Sequence, residues 1–141
     1  MDNIRMDEAA LTAFLESDFP QVHGMFAVER VTPDGVIVRL CVADEHLRPG
    51  GTVSGPSMFG LADVAAYLAI LSRIGPVALA VTTNCAIDFM RRPAASTDLL
   101  CDTRLLKLGR VLAVTDCLIR CDGADMPVAR ASLTYSIPPR G

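Results

Sequence analysis

The stretch Gly55-Pro-Ser-Met-Phe-Gly-Leu-Ala-Asp-Val-Ala-Ala-Tyr-Leu-Ala-Ile-Leu71 decides the fold. It carries one charge, Asp63, the only charged residue between Arg48 and Arg73. Ser54 offers an N-cap before it, Pro56 suits a first helical turn, and Gly75-Pro76 ends the apolar run. These signals predict a helix over 55–74. A helix apolar on nearly all sides must be buried on most of them. Burying an unpaired carboxylate costs several kcal/mol even after relaxation. A carboxylate kept in such surroundings is a candidate for catalysis.

Outward from that helix, the rest of the chain reads as its cover. Met6, Ala10, Leu11, Phe14 and Leu15 recur at helical spacing, with Asp7 and Glu8 in the first turn, and predict a short helix over 5–17 ended by Phe19-Pro20. Met25–Val31 and Val36–Val42 read as strands joined by Thr32-Pro33-Asp34-Gly35, a β-turn with Asp and Gly where positive φ is wanted. A Gly- and Pro-rich loop fills 43–53. After the long helix come strand segments 77–90, 99–108, 110–120 and 126–137, with turns at Gly109-Arg110 and Cys121–Asp125. Six antiparallel strands around one buried helix make an α+β domain. The sheet must curl over the helix, since nothing else in the chain can cover it. No internal repeat or second domain interrupts 1–141.

Composition removes several function classes. A net charge of −3 argues against a nucleic-acid partner, which needs a basic surface. Gly50–Ala80 is long enough to cross a bilayer, but Asp63 near its middle, two prolines and Arg73 oppose that reading. Met-Asp-Asn-Ile-Arg-Met-Asp-Glu at the start is acidic and unlike a secretory signal. Five cysteines without a Cys-x-x-Cys pair read as reduced thiols in the core of a cytoplasmic protein. His23 and His46 stand at no metal-ligand spacing and read as surface or packing residues, so no metal or redox cofactor is expected.

The start of the long helix, Ser54-Gly55-Pro56-Ser57, offers free N–H groups and the positive end of a dipole. Glycine lets a ligand approach the backbone closely, so Gly55 N–H is a candidate oxyanion donor. Gly55 and Asp63 are eight residues apart, about 12 Å along a helix axis. They cannot act on one carbonyl within one subunit. A second copy packed with its helix antiparallel brings Asp63 of one chain to Gly55 of the other, twice over. Gly60, on the Asp63 face, would allow that approach.

Gly51-Thr-Val-Ser-Gly55, Gly60-Leu-Ala-Asp63, Val81-Thr-Thr-Asn84 and Ile87-Asp-Phe-Met-Arg-Arg-Pro93 together resemble the PaaI-like acyl-CoA thioesterases of the hotdog fold. The resemblance runs from about Val36 to Ile137 and is strongest over 51–93. It implies the fold described above, dimers that commonly pair into tetramers, and hydrolysis of a coenzyme A thioester without a further cofactor. It implies that Asp63 attacks the thioester or activates water, that Gly55 N–H polarises the carbonyl, and that Thr82 helps place the water. This chain departs from the family pattern in having Ser54-Gly55-Pro56 for His-Gly-Gly and Arg48 for an upstream Asn or Gln, and Tyr67 stands where one related branch has a small hydroxyl one turn after the acid.

Other residues follow from their places. Tyr67 lies one turn from Asp63 and could bond the acid or line an acyl pocket. Arg48 and Ser54 flank the helix start. Asn84 faces either the dimer edge or the site. Arg91, Arg92, Lys107 and Arg110 are candidates for the phosphates of coenzyme A. The reading that results is an acyl- or aryl-CoA thioesterase with a site shared between subunits. The alternative is a hotdog protein that binds acyl-CoA without turnover, as a sensor or carrier. A hydratase would want a histidine beside the acid, and the helix region has none.

Overall fold

A computed structural model describes residues 3–139; the ends of the 1–141 domain reading, residues 1–2 and 140–141, lie outside the described residues. The order is α1 (Glu8–Asp18), β1 (Phe26–Val31), β2 (Gly35–Leu40), α2 (Gly55–Ile74), β3 (Val81–Phe89), β4 (Leu99–Leu108), β5 (Leu112–Cys121) and β6 (Pro127–Ser136). The strands form one antiparallel sheet in the order β1-β2-β4-β5-β6-β3. The chain therefore leaves α2 on one side of the sheet, lays β3 at the far edge, and returns to the middle with β4.

α2 fills the hollow of this curved sheet. Leu61, Leu68, Ile70 and Leu71 are fully buried against strand residues such as Val36, Val38, Leu99 and Leu133. Each such side chain contributes about 1.5–3 kcal/mol. Although α2 is long and apolar enough to cross a membrane, most of it is buried inside the protein. Its C-terminus is held by Arg73, only 4% exposed, whose guanidinium donates to Ser72 Oγ at 2.6 Å, to Gly35 O at 3.4 Å and to Thr32 O. A cation there also suits the negative end of the helix dipole. Gly75 follows at φ 92° and ψ −174°, a backbone conformation open essentially to glycine alone, and its N–H closes the helix on Leu71 O.

α2 runs over 55–74 as its signals predict, and β4 over 99–108. Other boundaries shift for physical reasons. α1 starts at Glu8, because Asp7 is its N-cap and accepts the Ala10 N–H at 2.9 Å. β3 begins at Val81 rather than 77, because Val77–Ala80 closes a turn, Ala80 N–H donating to Val77 O at 3.1 Å. The β1–β2 turn needs no positive φ at Asp34 or Gly35. Gly35 is required for another reason: a Cβ there would lie 1.6 Å from Thr103 O on β4.

Candidate active site

Two of the cavities along α2 hold Asp63 and Gly55, and they share no lining residue. The first, about 410 Å³, holds Asp63 with Tyr67 of α2, Thr82 of β3, Tyr135 of β6 and Asp18, Phe19 and Gln21 from the end of α1. Asp63 reaches it because the exposed stripe of α2 runs through Pro56, Phe59, Gly60 and Asp63, at spacings of three or four residues. Its Oδ1 accepts from Thr82 Oγ1 at 2.5 Å and from the Tyr135 hydroxyl at 2.7 Å. Thr82 and Tyr135 are register partners across β3 and β6, so one position of the sheet supplies both donors. Burial, and then the charge of Asp63, push the Tyr135 phenol well above its ordinary pKa, so it remains a donor.

Tyr67 does not bond the acid. Its hydroxyl donates to Ala78 O at 2.9 Å, and burial raises its pKa to about 12. The ring stacks on Tyr135 at 6.1 Å between centroids and meets Phe14 and Phe19. Tyr67 thus both packs among these rings and lines the cavity.

The second cavity, about 390 Å³, lies at the start of α2 and gathers Gly55, Arg48, Arg91 and Arg92, with Phe89 as one apolar wall. The loop before it is folded on itself: Ser54 N–H donates to His46 O at 2.8 Å and Arg48 N–H to Thr52 O at 2.9 Å. At the helix start, Ser57 N–H goes to Ser54 Oγ and Met58 N–H to Ser54 O, and Pro56 has no N–H. Of the N–H groups at this helix start, Gly55 N–H alone has no acceptor among the described residues, and Arg48, Arg91 and Arg92 line the same cavity. Ser54 serves as the cap, its hydroxyl 3.0 Å from Ser57 Oγ.

The remaining candidates separate from these. Asn84 is exposed on β3 and lines neither cavity. Lys107 and Arg110 sit by the β4–β5 turn, at the Val81 end of the sheet, while Arg91 and Arg92 follow its Phe89 end. Arg91 Nη1 also donates to Pro127 O at 2.7 Å. His23 is exposed and His46 is buried with Nδ1 accepting the Ala43 N–H, so neither approaches Asp63 in its cavity. Cys101, Cys117 and Cys121 are core thiols; Cys41 and Cys85 are half-buried. Tyr135 is the residue that sequence reasoning missed. The chain has only two tyrosines, and a buried phenol needs a hydrogen-bond partner, which is the signal that was available.

A half-buried acid held by hydroxyls on the open face of a sheet-wrapped helix, with a free N–H at the helix start, defines a hotdog-fold thioester hydrolase. The sequence model of the thioesterase superfamily matches residues 50–128, more than half of the chain, and the protein belongs to that family. Its structure is similar to that of a candidate thioesterase from Silicibacter sp. TM1040, with 52% identity, 98% of this chain and 96% of that one covered, and a TM-score of 0.91. It is also similar to a variant of the phenylacetic acid degradation protein PaaI from Thermus thermophilus, at 27% identity over 84% and 99% of the two chains, with a TM-score of 0.71. Zebrafish thioesterase superfamily member 2 shares the fold at 23% identity, 93% and 95% coverage and a TM-score of 0.77. No curated protein sequence matches the chain.

Proposed function

We propose that the protein hydrolyses an acyl- or aryl-CoA thioester to the free acid and coenzyme A at a site shared by two copies of the chain. Asp63 is the nucleophile or general base, and Gly55 N–H of the partner subunit is the oxyanion donor. The observation that carries this reading is the division of the machinery. The acid and the free N–H lie in separate cavities on one helix, about 12 Å apart along its axis, too far for one thioester carbon. An antiparallel pairing of two α2 helices, crossing near Phe59 and Gly60, closes that gap. A Cβ at Gly60 would meet nothing within 4 Å in its own chain, so the approach is open.

β3 supports the same pairing. It is a nine-residue edge strand with one side of its backbone unpaired, and Leu79, Val81 and Phe89 on and beside it are 77%, 56% and 52% exposed. Such an edge is a template for another strand. Pairing β3 with its own copy makes the two sheets continuous and sets the helices antiparallel. Arg48, Arg91 and Arg92 would face the coenzyme A phosphates at the mouth of the shared cleft. Water completes the reaction in either route: its OH ends on the acyl carbon, the C–S bond breaks, and the thiol sulfur takes the proton.

The test is a panel of aryl and fatty acyl-CoA thioesters assayed with the wild type and Asp63→Asn. Turnover by the wild type and a loss of at least ~10²-fold in the variant, with the dimer intact, is the expected result. Equal turnover by both would remove Asp63 from the mechanism. Tight binding of acyl-CoA without turnover would favour a carrier.

A further inference from the structure

The carboxylate of Asp63 is held on one side only. Thr82 and Tyr135 both donate to Oδ1, and no group of the described residues donates to Oδ2. The Tyr135 hydroxyl also lies 2.8 Å from Asp63 O, but it has a single proton to give. Helical geometry already supplies that carbonyl with the N–H four residues on, and a carboxylate is the stronger acceptor. The phenol proton therefore belongs to Oδ1.

We propose that Tyr135 is a positioning residue of this site: with Thr82 it pins Oδ1, and so it presents Oδ2 as the oxygen that meets the thioester carbon or the attacking water. The inference rests on the reading of Asp63 as the reacting group. Fixing one oxygen at two points removes rotation about the Cβ–Cγ bond. The reacting oxygen is then delivered in one place, and small misplacements of a reacting group are costly. Asp63 is surrounded by few other titratable groups. Asp18 of α1 and Tyr67 of α2 line its cavity, the Cys85 thiol of β3 feels its charge, and the Cys117 thiol of β5 lies behind the Ala62 carbonyl.

The experiment is Tyr135→Phe in the intact protein, with kcat, KM and a thermal melt, the kinetics on a hydrolysed CoA thioester. Loss of one hydrogen bond to a charged group predicts a kcat lower by about 10–100-fold and KM within about threefold. A purely structural tyrosine would lower thermal stability and leave kcat in place. Unchanged kcat in Tyr135→Phe, beside an inactive Asp63→Asn, overturns the positioning role alone. A fully active Asp63→Asn overturns the reading beneath it.

Should Tyr135→Phe fail to fold, 3-fluorotyrosine labelling keeps the proposal open to refutation. Two tyrosines give two fluorine signals, and Tyr67→Phe assigns them. The Tyr135 signal should move in Asp63→Asn, which replaces the carboxylate that its hydroxyl bonds at 2.7 Å, and by more than the Tyr67 signal. A Tyr135 signal unmoved in Asp63→Asn overturns the proposal.

Discussion

Replacing Gly55 by proline deletes the N–H assigned to the oxyanion and little else. At the first helical position proline is well tolerated, because its fixed φ suits the helix and its missing N–H would have been an orphan. Ser54, the preceding residue, already has the extended backbone that proline requires, at φ −74° and ψ 157°. The caps that hold this helix end run through Ser57 and Met58, so no hydrogen bond of the fold is lost. Two steric demands arise: on Phe89, whose Cζ would lie 3.3 Å from a Cβ at Gly55 and which is the far end of an exposed side chain, and on Pro56, whose ring disfavours a helical backbone at the residue before it. Folding stability should therefore fall by about 1–3 kcal/mol, which a thermal melt separates from the loss of turnover. Loss of one oxyanion donor is worth about 2.7–4 kcal/mol of transition-state stabilisation, or about 10²–10³ in kcat. Following the release of coenzyme A thiol with a thiol-reactive dye measures this directly, alongside thermal melts and a mass measurement in solution. A folded, dimeric Gly55→Pro protein with wild-type kcat would refute the assignment of the oxyanion donor.

Thr82→Val keeps the shape of β3 and removes one of the two donors to Asp63 Oδ1, so kcat should fall about tenfold or more with KM little changed; equal kinetics would show that Thr82 is only a strand residue. Gly35→Ala sets a methyl group 1.6 Å from Thr103 O, which forces β2 and β4 apart at their register. It should cost about 3 kcal/mol or more and lower the melting temperature sharply, and a melt within a degree or two of wild type would contradict that geometry. Glu8 accepts the Val31 N–H at 2.8 Å, and this bond holds its carboxyl below the ordinary pKa. A depressed pKa contributes stability that is present above the unfolded pKa and lost as pH falls through the folded one. Stability measured against pH in Glu8→Gln should thus show a shallower acid decline than in wild type, by a small amount because the group is exposed.

Much of the fold and part of the site could be read from residue order. α2 was legible because its cap, its first-turn proline and its terminal Gly75 are local signals, and its apolar surface could only be buried. Asp63 was legible because a lone charge in such a helix is costly. What was not legible depends on contacts distant in sequence. Gly35 was read as a turn glycine, since nothing local says that Thr103, 68 residues on, leaves no room for a Cβ. Tyr67 was weighed as a partner for the acid because it lies one turn away. The partner is Tyr135, brought there by the pairing of β3 with β6, a register that no short stretch encodes. The cationic cavity around Gly55 was half visible. Arg91 and Arg92 follow β3 and Arg48 precedes α2, and only the tertiary fold shows that the three share one space while Lys107 and Arg110 stand at the other end.

The central claim is that each site takes its acid from one chain and its N–H from another. Asp63→Asn and Gly55→Pro proteins, each nearly inactive alone, can be unfolded together, refolded at equal amounts and assayed. Half of the dimers formed at random are mixed, and each mixed dimer has one site with both Asp63 and Gly55 N–H intact. The account predicts recovery of about one quarter of wild-type turnover on mixing. A mixture no more active than its two inactive parents, with mixed dimers demonstrably present, would contradict it.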